Sequence, residues 1–157
     1  MLTVLLGLAV AAWAAWWPTN LDRSALDRFG PPVPGATRHG RDYVSEGNVW
    51  CLDACSRLTR VYLPAQGAQY QAVVDAAGAA IDRAGYRMLG LGPDCRLAGS
   101  RATFTCTMHG DRAQDDVVVF IHGRAAGPLT TDGLDQLTFP PPGDAAVDRV
   151  EVGIARE

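Results

Sequence analysis

The 157-residue chain carries 14 basic and 17 acidic residues, a formal net charge of −3. Its cations are interspersed with aspartates and form no stripe that could follow a phosphodiester backbone, so the composition argues against a nucleic-acid partner. The length suits one domain with a real core and no internal repeat.

The chain opens on Met1–Trp17 (MLTVLLGLAVAAWAAWW), which has no charged side chain, ends near three tryptophans and stops at Pro18. A bilayer-crossing helix needs roughly 17–25 apolar residues, and tryptophans favour the headgroup level. Residues 1–17 are therefore read as a membrane anchor. The alternative is a secretory signal cleaved near Ala11 or Ala14, where small residues alternate.

Residues 18–48 read as a short helix and a Pro/Gly-rich spacer. Asn20 can cap a helix over Leu21–Phe29, with Leu21, Ala25 and Phe29 on one face and Gly30-Pro31 ending it. The following GPPVPGATRHGRD is polar and broken, which predicts a semi-extended tether.

Residues 49–157 read as one extracytoplasmic α+β domain. Arg57–Leu63 is a strand by β-branched and aromatic content. Over Gln66–Ala84, Tyr70, Val73, Val74, Ala77 and Ile81 recur at helical spacing, and Gly85 follows as the C-terminal cap. Tyr86–Leu91 is a strand ending in a Gly92-Pro93 turn. Ala102–Met108 alternates Phe104, Cys106 and Met108 against Thr103, Thr105 and Thr107. Val117–Ile121 is apolar enough to be central, and Val147–Ala155 closes the sheet. The expected architecture is one antiparallel sheet of about five strands covered by a single long helix.

Four cysteines downstream of an export-like segment point to disulfides. A hairpin turning at Ser100-Arg101 places Cys95 opposite Cys106, with Leu97 and Phe104 on the same face. Cys51 then pairs with Cys55. A zinc site lacks its paired knuckles, and Cys51-x-x-x-Cys55 is one residue too long for a thioredoxin-type motif.

Sites are harder to find. His109 and His122, with Asp116, are candidates for an acid–base or metal site at a sheet rim, but no metal-ligand spacing accompanies them. There is no GxSxG elbow, and Gly90-x-Gly92 precedes no helix, so no cofactor is implied. Thr59, Arg60 and Tyr62, with Trp50, are candidates for an exposed binding patch; Trp50 alternatively covers the Cys51–Cys55 bridge. The expectation is a membrane-anchored extracytoplasmic binding or accessory module contacting another envelope protein. The competing classes are a small extracytoplasmic enzyme using the histidine rim, a cleaved secreted protein, and a cytosol-facing protein with reduced thiols.

Overall fold

A computed structural model describes residues 23–45, 57–113 and 115–156. Met1–Trp17, read above as an anchor, and Trp50, Cys51 and Cys55 lie outside the described residues. Among the described residues no helix is long and apolar enough to cross a membrane.

The elements in chain order are α1 (Arg23–Phe29), β1 (Thr37–Ser45), β2 (Arg57–Leu63), α2 (Tyr70–Arg83), β3 (Arg87–Leu97), β4 (Thr103–Arg112), β5 (Asp115–Arg124) and β6 (Ala146–Arg156). They form one antiparallel sheet in the order β1-β2-β6-β5-β4-β3. The α+β architecture therefore stands, with six strands among the described residues where about five were expected, and with the expected short helix present beside the long one. The extra strand is Thr37–Ser45, within the segment that composition assigns to the spacer. The short helix expected over Leu21–Phe29 is α1, and it packs Ala25, Leu26 and Phe29 into the core of the domain.

Periodicity explains the helix-covered face. In α2 the residues Tyr70, Val73, Ala77, Ala80 and Ile81 are buried, a stripe at three- and four-residue intervals whose small members let the helix lie close to the sheet. Its first N–H groups find acceptors outside the helix: Tyr70 donates to Ala145 O and Gln71 to Gly143 O. At the other end Gly85 adopts φ +80°. There Gly85 N–H reaches Asp82 O and Tyr86 N–H reaches Ile81 O, a Schellman motif that stops the helix.

The sheet meets this stripe with one parity of each strand. Phe104, Cys106 and Met108 of β4, Val117, Val119 and Ile121 of β5, and Val150, Val152 and Ile154 of β6 are all buried. Tyr70 packs edge-on against Phe104, with ring centroids 5.5 Å apart. Phe29 of α1 leans on Tyr86, and Arg112 lies over the Tyr86 ring. Cys95 and Cys106 sit directly opposite each other and are bonded, with Cα atoms 4.0 Å apart. Leu97 faces Phe104 in the same register, as a turn at Ser100-Arg101 requires.

Both edge strands are interrupted. In β1 the residues Gly40, Arg41 and Asp42 stand opposite Arg60 alone. In β3 the residues Gly90–Pro93 stand opposite Met108 alone, so Gly92-Pro93 forms part of a bulge rather than a terminal turn. Gly40 and Gly90 open these bulges at φ +71° and +87°. Beyond β3, the long loop after β5 folds a short hairpin: Thr131 pairs with Leu137. Its outer arm hydrogen-bonds β3 through Leu97 N–H to Asp135 O and Leu137 N–H to Cys95 O.

Candidate functional site

The strand bearing Thr59, Arg60 and Tyr62 does not present them as an exposed patch. All three are buried. Tyr62 shares the core parity with Leu58 and donates its hydroxyl to Gly30 O after α1. Arg60 is held by acids from two other elements: Nε and Nη2 bind both carboxylate oxygens of Asp42 at 2.8 Å, and Nη1 lies 2.7 Å from Asp27 of α1. The Arg60 hydrogen bonds draw the Asp42 carboxyl below its ordinary range, against the opposing effect of burial. This is a structural tie between β1, β2 and α1.

The histidine rim is also divided. His109 pairs with Val118 and His122 with Thr105. The two rings are thus four residue steps apart along the strands, about 13 Å at a rise of roughly 3.3 Å per residue. Asp116 pairs with Asp111 near the His109 end. His109, His122 and Asp116 therefore form no common site. Among the described residues no group of three or more His, Cys, Asp or Glu could hold a metal.

What surrounds His122 is a different set of groups. On the sheet face away from the helices, register aligns Arg96 of β3, Thr105 of β4, His122 of β5 and Arg149 of β6 in one row. His122 Nδ1 lies 3.0 Å from Thr105 Oγ1, and Nε2 lies 3.4 Å from Glu151 Oε1. That second contact is not aligned as a hydrogen bond, which leaves Nε2 buried without a hydrogen-bond partner. The carboxylate favours the imidazole proton on Nε2, so Nδ1 accepts from the Thr105 hydroxyl.

Glu151 is held from two further directions. Tyr43 donates its hydroxyl to Oε2 at 2.6 Å, and Arg149 Nε approaches Oε1 at 3.0 Å. The contact with His122, then that with Tyr43, lowers the Glu151 carboxyl to about 2 despite burial. Burial foremost, and then the bond to Glu151, pushes the Tyr43 hydroxyl up to about 12. The carboxylate is thus fixed in its charged form and the tyrosine in its neutral form. Phe120 stacks beside the His122 ring. Sequence spacing missed this group because its members lie on five strands. The threonine alternation in β4 was its one visible signal.

A second feature lies at the β3 edge. A groove runs between the first turn of α2 (Tyr70, Gln71, Val74), the β3 bulge (Leu91–Cys95) and the hairpin exit (Gln136–Pro140). Its floor includes Cys95, whose sulfur touches the Tyr70 hydroxyl at 3.4 Å. Gln136 Nε2 bonds Asp94 across it at 3.2 Å. At its margins Leu91 is wholly exposed and Phe139 is 70 % exposed. Asp75, bonded by Gln71, joins Asp94 and Asp135 nearby, with Arg96 as the neighbouring cation.

Comparison with protein-family models, with curated proteins and with solved structures finds no match to this chain.

Proposed function

We propose that the chain is an extracytoplasmic binding or accessory module, tethered through Met1–Trp17, that engages another envelope protein through the groove beside Cys95. The observation that carries this reading is the pair of bare apolar side chains, Leu91 and Phe139, that line one groove. A soluble surface tolerates scattered apolar residues, whereas apolar groups converging on a concavity favour a partner that covers them. The acidic margin, Asp75, Asp94 and Asp135, complements a partner segment that offers an apolar side chain between arginines or lysines. The location rests on the uncharged first 17 residues and on the Cys95–Cys106 disulfide, a bond that persists in oxidising compartments.

Two measurements test it. Non-reducing peptide mass spectrometry of the host membrane fraction is expected to find Met1–Trp17 retained and Cys95 joined to Cys106. A soluble, reduced chain refutes the tethered reading, and a soluble, oxidised chain starting after Ala11 or Ala14 replaces the anchor with a cleaved signal. A photo-crosslinker at position 139 is expected to capture one envelope protein that the same group at position 83 does not. Leu91→Asp and Asp94→Arg should each abolish that product, and its survival in both removes the groove from the interface.

A further inference from the structure

We propose that Thr105, His122 and Glu151 form a hydroxyl–imidazole–carboxylate relay that accepts an acyl group from an activated ester onto Thr105. A nucleophile of this kind needs a hydroxyl within hydrogen-bond reach of a base, and a third group that orients the base. All three are in place: Thr105 Oγ1 is 3.0 Å from Nδ1, and Nε2 faces the Glu151 carboxylate. Tyr43 and Arg149 fix that carboxylate from its remaining sides, so they are positioning residues. The ring nitrogens exchange the roles they take in a serine-hydrolase triad; either nitrogen of a neutral imidazole can serve as the base while the other keeps its proton.

The neighbouring hydroxyls show why Thr105 stands apart. Thr107 stands between Phe120 of β5 and Asp94 of β3, with no imidazole as a register partner. The Thr103 hydroxyl is held by Ala98 O and the Ser100 hydroxyl within the β3–β4 turn. On the other flank of Thr105 its register partner is Arg96. The Arg96 side chain is 63 % exposed, with one distant ion pair to Asp94 at 3.5 Å. Directly opposite strand residues bring their Cβ atoms within about 5 Å, so the Arg96 guanidinium, on leaving Asp94, can reach a carbonyl oxygen attacked by Thr105 and meet the negative charge that develops there.

The step balances within these groups. Thr105 Oγ1 bonds to the ester carbonyl carbon as its proton passes to Nδ1, and the carbonyl oxygen becomes an oxyanion beside Arg96. The carbon–oxygen bond to the alcohol portion then breaks, and the departing oxygen takes the proton from Nδ1. The products are an ester of Thr105 and a free alcohol or phenol. Water can repeat the sequence to release the acid. The site is a shallow sheet surface rather than a deep pocket, so the fitting substrate class is a small acyl group on a good leaving group.

The test uses the full chain in detergent with p-nitrophenyl acetate. One equivalent of p-nitrophenolate per chain and an acetyl group on the peptide containing Thr105 are expected. Thr105→Val should abolish the adduct, Thr105→Ser should keep it, and His122→Gln should slow it roughly 100-fold, as expected for loss of a general base. Glu151→Gln should slow acetylation and change its pH dependence, which a merely structural carboxylate would not do. Urea unfolding of each variant separates lost folding from lost chemistry. Absence of an adduct on the native chain, or an adduct unaffected by His122→Gln in a folded variant, overturns the proposal.

Discussion

Replacing Arg60 with methionine isolates the least sequence-evident contact in the fold. Methionine keeps much of the buried stem and removes the guanidinium that binds Asp42 through two 2.8 Å hydrogen bonds. The two side chains are 7 % and 5 % exposed. At that distance and an effective dielectric constant of about 20, the gross attraction is about 6 kcal/mol. Desolvation offsets much of it, so the net value of the pair is small, yet removing one partner strands the other charge at a cost of about 3–5 kcal/mol. Arg38 remains 3.0 Å from Asp42, which favours the lower end, about 3 kcal/mol. Equilibrium urea unfolding at neutral pH measures the loss directly. The double replacement Arg60→Met with Asp42→Leu leaves no orphaned charge and should recover most of it, giving a coupling energy of about 2 kcal/mol or more. The folded Asp42 carboxyl is depressed, chiefly by the Arg60 hydrogen bond. Its contribution is therefore present above the unfolded value near 3.9 and is lost as pH falls through the folded one. Arg60→Met should flatten that acid limb. A loss below about 1 kcal/mol, or a double variant as unstable as the single one, refutes the assignment of Arg60 to structure.

Glu151, lowered to about 2, contributes stability above about pH 4.5 that declines between there and pH 2, so Glu151→Gln should reduce the pH dependence of the melting temperature in that window. At Gly123 an added Cβ collides with the backbone oxygen of Ala146 and lies 2.6 Å from the Phe104 ring; Gly123→Ala should cost about 1–3 kcal/mol or more in urea. At Gly78 the nearest atom is the flexible end of Met88 at 3.1 Å, and helix propensity favours alanine by about 1 kcal/mol. Gly78→Ala should therefore be neutral or stabilising, and a loss resembling that of Gly123→Ala would contradict the packing described. The Cys95–Cys106 bond spans 11 residues, and chain-entropy reasoning gives it about 3 kcal/mol. The Cys95→Ala, Cys106→Ala variant should lose a comparable amount, measured by the same unfolding curves.

The parts of the fold legible in the sequence are those where side-chain period and burial agree. In α2, β4, β5 and β6 the apolar residues repeat without interruption, and Gly85 marks the helix end. The Cys95–Cys106 register follows from equal spacing about Ser100-Arg101. The strand Thr37–Ser45 was hidden because the bulge at Gly40–Asp42 breaks its alternation and because an edge strand presents little apolar surface. Arg60 was misplaced for a related reason. Its partners, Asp42 and Asp27, came from the spacer and from the short helix before it, both placed outside the expected domain, so nothing in the sequence promised a counterion. The group around His122 required the register of five strands, which no local spacing encodes. His109 and His122 looked like neighbours because adjacent strand ends were compared without their antiparallel direction.

The two bulges have a consequence for how this sheet meets other chains. An uninterrupted edge would offer a row of backbone donors and acceptors to any extended peptide, including a copy of itself. Here Gly40–Asp42 breaks that row on one side. On the other, Gly90–Pro93 breaks it, with a proline lacking a donor, and the hairpin arm at Asp135–Leu137 occupies the stretch beyond. Each edge strand is thereby a poor template for the addition of a long strand. Partners must therefore recognise side chains, which gives selectivity, and crowding at high local concentration does not template fibres. Deleting Gly90–Pro93 to restore continuous pairing would convert a discriminating edge into an adhesive one.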